Sequence, residues 1–101
     1  MTTEILKELV AIDSPSGYTE DVIKHIFGKI KGKSLKKRIT TKGALLVSTV
    51  DDPELVVSGH IDTLGAMVSA LNSNGTLTLT QIGGWPVPSF EGENGNVCTA
   101  K

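Results

Sequence analysis

In the run VVSGHIDTLG, residues 56–65, His60 stands at the end of the chain's most hydrophobic stretch and Asp62 follows two places later. The chain holds only two histidines, and a neutral imidazole is a good ligand for zinc and similar cations. A metal-bound histidine usually gives its other ring N–H to a carboxylate, which fixes the tautomer. In an extended segment, side chains two apart point the same way, so Asp62 is placed to do this for His60. The same spacing also fits a core histidine satisfied by its neighbour, since a buried imidazole needs partners for both nitrogens. From spacing alone both readings stand.

A zinc site takes three or four ligands, and no others are well placed. His25 falls on the solvent side of its predicted helix, and Cys98, Glu91 and Glu93 lie in an unpatterned tail. Cys98 lacks a neighbouring base and reads as a plain thiol. Ser14 and Ser16 flank Pro15 without the strand-turn-helix setting of a hydrolase serine, which assigns them to turn and cap duty. Seven basic residues, Lys29, Lys31, Lys33, Lys36, Lys37, Arg38 and Lys42, crowd one stretch. Without interleaved aromatics for base stacking, they read as a solvated helix end and edge strand rather than a nucleic-acid site. Asn74-Gly75-Thr76 matches a glycosylation sequon but reads as a hairpin turn. Trp85 is either exposed at a subunit contact or the plug of a small core.

The elements that carry these residues follow from periodicity. Ile5, Leu6, Leu9 and Val10 form one helical face, with Thr2 or Thr3 as its N-cap. Pro15 and Gly17 break the pattern. A second helix begins near Thr19, with Glu20 and Asp21 in its first turn, where the helix dipole favours them. It buries Val22, Ile23, Ile26, Phe27 and Ile30, and Gly32 ends it. Two strands follow at about 35–40 and 44–50, joined through Lys42-Gly43. ELVVSGHI reads as a short apolar strand inside a covered sheet, whose carboxyl end delivers His60 to where such sheets place ligands. Asn74-Gly75 joins a last hairpin. The predicted class is α/β: two helices and the first strands of a helix-flanked sheet, then the start of a β-rich insert, with a boundary near Gly65.

At 101 residues, 39% hydrophobic and 21% charged, the composition is that of one soluble globular domain. A net charge of −1 gives no global attraction to nucleic acid or acidic lipid. No apolar run approaches a membrane span, and the amino terminus lacks the layout of a secretion signal. A single cysteine excludes an internal disulfide framework and points to a reducing cytoplasm.

The blocks LKELVAIDSPSGYTEDVI, TTKGALLVS, SGHIDTLGAMV and IGGWPVPSFEGE resemble successive segments of a family of cytoplasmic metalloaminopeptidases. Its members include glutamyl and deblocking aminopeptidases, and Thr63 and Leu64 make the chain look more like the deblocking branch. The resemblance covers essentially the whole chain. It implies that His60 binds one of two divalent ions, zinc or cobalt, and that Asp62 orients it. It also implies a peptide substrate and a dimer-based, tetrahedral dodecamer. Residues 1–65 then match the beginning of the catalytic domain, and 66–101 the opening of a β-rich dimerisation domain.

Family enzymes are considerably longer, and their remaining ligands and general base fall beyond the matched segments. Two-metal hydrolysis needs bridged ions, an activated water and a carboxylate base. The chain alone is therefore expected to lack activity. The alternative is a truncated, non-catalytic product that persists as a folding or assembly module.

Overall fold

The structure, a computed structural model, describes residues 2–99. Helix α1 spans Thr2–Val10 and helix α2 Glu20–Lys29. Strands β1 (Lys36–Ile39) and β2 (Leu45–Ser48) form one antiparallel hairpin, and β3 (Gly65–Leu71) and β4 (Leu77–Ile82) a second. A 3-10 turn covers Val87–Phe90. The class is mixed α/β, as the sequence predicts, with two small sheets that share no strand.

The chain is extended. Its radius of gyration is 17.2 Å, against about 13 Å for a compact domain of 100 residues. Val22 and Ser14 are its fully buried side chains among the described residues, with Ile23 beside them. Two of the five residues in the stripe predicted for α2, Val22 and Ile23, are thus buried, and Ile26, Phe27 and Ile30 are partly covered. The stripe predicted for α1 is not buried. Ile5, Leu6 and Val10 are exposed, and Leu9 is half-buried. Thr2 and Thr3 lie within α1 rather than capping it, and the preceding position falls outside the described residues.

Helix α2 ends at Lys29, before the predicted stop at Gly32. The reason lies in β1: Lys37 Nζ donates to the carbonyls of Phe27 and Ile30, each at 2.8 Å, and sits 4.1 Å from the Phe27 ring centroid. A cation there satisfies end carbonyls and opposes the negative pole of the helix. Lys36 pairs with Asp51. Three of the seven clustered basic residues, Lys29, Lys36 and Lys37, therefore have partners within the chain.

His25 does not face solvent as predicted. Its Nε2 is enclosed against α1, 3.6 Å from Glu8 Oε2 and beyond hydrogen-bond reach. Glu8 also accepts a hydrogen bond from Lys29, and that bond chiefly holds its carboxyl below the usual glutamate range. A depressed carboxylate contributes stability above its ordinary pKa and loses it as pH falls through the folded value. Protecting contacts between α1 and α2 should therefore weaken as pH drops below 4.5. Amide exchange in α1 should rise there, and Glu8→Gln should show the faster exchange already at neutral pH.

Both hairpins form where turn chemistry predicts. Gly43 and Gly75 take φ of +86° and +83°, conformations that favour glycine. Asn74 Oδ1 accepts from both the amide and the hydroxyl of Thr76, which ties the sequon residues into the turn. The irregularity in the second hairpin falls at Ser69 in β3. No helix among the described residues is long and apolar enough to cross a membrane.

The segment 54–61 departs most from expectation. It forms no strand, and Leu55, Val56 and Val57 are 80, 73 and 89% exposed. An apolar run becomes a central strand only if neighbours pair with both its edges and cover both faces. No strand among the described residues pairs with it. Its first part, Glu54 to Val57, instead walls an open groove of about 820 Å³ beside β2.

Candidate metal-ligand site

The segment carrying His60 is held at its far end by the loop between the helices. Thr63 donates its amide to the Ser14 carbonyl at 2.9 Å, and Pro15 and Thr63 form an isolated parallel bridge. Ser14 is 1% exposed, with its hydroxyl 3.5 Å from the Ile61 carbonyl. Gly65 lies so close to this loop that a Cβ there would come within 2.5 Å of Pro15 Cβ. Trp85 secures the other side by donating its Nε1–H to the carbonyls of Gly65 and Ile82, at 3.1 and 3.0 Å. Its ring packs 4.1 Å from that of Phe90, which makes Trp85 the half-buried plug of a small cluster.

His60 Nδ1 lies 3.0 Å from Asp62 Oδ1 and 3.1 Å from the Asp62 carbonyl. Both neighbours are acceptors, so Nδ1 carries the proton and donates. In a neutral imidazole this leaves the lone pair on Nε2. The His60 side chain is 85% exposed, so the core-histidine reading does not hold in this chain. Asp62 also accepts a hydrogen bond from Ser16 Oγ on its second oxygen, Oδ2. That bond first, and the His60 bond second, hold the Asp62 carboxyl below the ordinary aspartate range. Asp62 thus stays ionised, as an orienting carboxylate must.

The geometry fits one metal ligand with its orienting carboxylate, an imidazole of the correct tautomer with its free nitrogen toward solvent. Among the described residues no three His, Cys, Asp or Glu side chains gather closely enough to hold an ion. Glu91 and Glu93 lie in the exposed tail. Cys98 approaches Asp13 instead, Sγ to Oδ2 at 3.8 Å, with Asn96 donating to the other Asp13 oxygen at 3.1 Å. Loss of solvation, and then the Asp13 charge, push the Cys98 thiol up, away from nucleophilic character.

Sequence reasoning paired His60 with Asp62 but missed Ser16. Ser16 lies 46 residues from its partner, and no periodic signal links positions so distant. Nor does it cap α2, because the N-cap is Thr19.

The family model described as M42 glutamyl aminopeptidase matches residues 43–101. The aminopeptidase-named protein YhfE of Bacillus subtilis (strain 168) is 36% identical over 102 residues, covering 98% of this chain and 30% of that protein. The glutamyl aminopeptidase of Lactococcus lactis subsp. cremoris (strain MG1363) is 27% identical over 84 residues, covering 79% of this chain and 24% of that protein. The chain thus spans less than a third of the length of either relative. The matched region takes in His60, Asp62 and both strands of the second hairpin, and the 101-residue chain belongs to the M42 glutamyl aminopeptidase family.

Proposed function

We propose that this chain is the amino-terminal segment of a metal-dependent aminopeptidase, to which it contributes His60 as one metal ligand and Asp62 as the carboxylate that fixes its tautomer. The observation that carries this is the donation of Nδ1–H to Asp62, which leaves Nε2 as an exposed electron-pair donor. His60 would hold one of two divalent ions, zinc or cobalt, in the assembled enzyme, and such ions would supply Lewis-acid polarisation of a peptide carbonyl and a lowered pKa for the attacking water. Residues 1–65 belong to the catalytic domain and 66–101 open a β-rich dimerisation domain. The separation of the two hairpins into different sheets supports that division. The working form is a dimer-based dodecamer in the cytoplasm, where a single unpaired cysteine is at home.

By itself the chain is inactive, because one imidazole cannot hold a bridged metal pair. The test is a titration with Co²⁺ or Zn²⁺ followed on the ring resonances of the two histidines. His60 should shift and broaden while His25, enclosed against Glu8, stays put, and binding should be weak, in the range of a lone imidazole. Assayed alongside, the chain should release no amino-terminal residue from peptides. Unperturbed His60 resonances at millimolar metal would sink the ligand assignment.

A second reading, a non-catalytic assembly module, is favoured by one observation. Large apolar side chains are exposed on α1, in the 55–57 run and on the second hairpin. Exposed apolar surface, where it is contiguous, drives association. Under this reading the chain self-associates through that surface and binds divalent metal only weakly, in the range of a lone imidazole.

A further inference from the structure

The inter-helix loop does more than support the backbone of the His60 segment. Ser14 and Pro15 hold residues 61–65 through backbone and packing contacts, whereas Ser16 reaches a side chain, with its hydroxyl on Asp62 Oδ2. We propose that Ser16 is a positioning residue for His60: by occupying one carboxylate oxygen of Asp62 it presents the other to the imidazole Nδ1–H, and so reserves Nε2 for a divalent cation. This deepens the metal-ligand reading above and rests on it for its purpose.

Three observations support the assignment. Asp62 is 38% exposed, so without a second partner its carboxylate would rotate among rotamers in water. Ser16 itself is on a firm support. Tyr18 donates its amide to the Pro15 carbonyl at 2.8 Å, Gly17 turns the chain at φ +88°, and Ser14 is buried. The Ser16 hydroxyl has no competing duty, since Thr19 occupies the N-cap of α2 and makes no side-chain cap bond there.

The experiment uses the 101-residue chain labelled with ¹⁵N, and reads the tautomer of each histidine at about pH 8, where unperturbed imidazoles are neutral. In the native chain His60 should be predominantly the Nδ1–H form. In Ser16→Ala the Nδ1–H fraction at His60 should fall, with the Asp62 carbonyl remaining as the other acceptor, while the His25 ring, which contacts neither group, keeps its native signals. Ser16→Thr, which retains the hydroxyl, should restore the native ratio, a rescue that a merely space-filling role would not require. Co²⁺ affinity should fall by about tenfold or less in Ser16→Ala, at or below the lower edge of the range for losing a ligand's direct partner.

A native tautomer ratio in Ser16→Ala with His25 unchanged overturns the proposal. Should Ser16→Ala fail to fold, Ser16→Cys gives the same answer with a similar shape and a much weaker donor. A native ratio in that variant also overturns it. If Ser16 governs the tautomer but no metal perturbs His60, the positioning role stands and the ligand reading alone fails.

Discussion

Replacing His60 by Ala should abolish divalent-metal binding to the chain. With Nδ1–H donating to Asp62, the ring presents its Nε2 lone pair to solvent, and alanine leaves no electron-pair donor there. His25 offers no substitute, since its Nε2 is enclosed against α1. In an active M42 polypeptide carrying this segment, the same change should stop peptide hydrolysis. Lewis-acid stabilisation supplies several kcal/mol, so the loss is on the order of a thousandfold in rate or more. Asp62→Ala should be milder, about 10–100-fold in metal affinity, the usual cost of removing a ligand's orienting partner. The measurements are Co²⁺ titration of the chain and turnover of the longer enzyme. Full activity without His60 would remove the assignment at once.

Gly65→Ala should be the most damaging small substitution outside the site. A methyl group at this position would meet Pro15 Cβ at 2.5 Å, well inside any tolerated contact. Proline's ring cannot swing aside as a long side chain would. Either the loop or β3 must move, and overpacking of this kind costs about 1–3 kcal/mol. In so open a chain, whose described core is Val22, Ile23 and Ser14, the movement should take the cheaper route and detach the loop from residues 61–65. Hydrogen exchange at the Thr63 amide, now bonded to Ser14, would report it. Unchanged protection there would mean that the close approach is not required. Trp85 should also lose its bond to the Gly65 carbonyl, with a change in its fluorescence.

What the sequence made legible was local. Both hairpins were readable because Gly43 and Gly75 announce turns that favour glycine, and in the second hairpin Leu77 and Leu79 alternate with polar residues. The start of α2 was readable from its acidic first turn after a loop of Pro and Gly. The pairing of His60 with Asp62 was readable because it spans two residues of extended chain. The rest depended on distant partners. The end of α2 carries two carbonyls bonded by Lys37 from a later strand, and the side of α2 that His25 faces is covered by α1 near Glu8. Ser16 meets Asp62 only after the chain has folded back on itself. The apolar patterns of α1 and of residues 54–61 were read as buried surfaces, and the structure leaves both largely exposed. Periodicity tells which face seeks cover, not whether the cover is there.

The unpaired run that leads to His60 has a thermodynamic consequence. A ligand mounted on a strand bonded along both edges arrives at its metal already immobilised. His60 is carried instead like the free end of a cantilever, clamped at residues 61–65 and unsupported before them. Each backbone residue that a cation must immobilise subtracts about 1–2 kcal/mol from its affinity. Anything that paired with residues 54–60 would meet that entropic debit in advance and tighten the cation's grip. By linkage, the cation would tighten the pairing by the same factor. Under the proposed ligand role, cation uptake and pairing of residues 54–60 would be one coupled equilibrium.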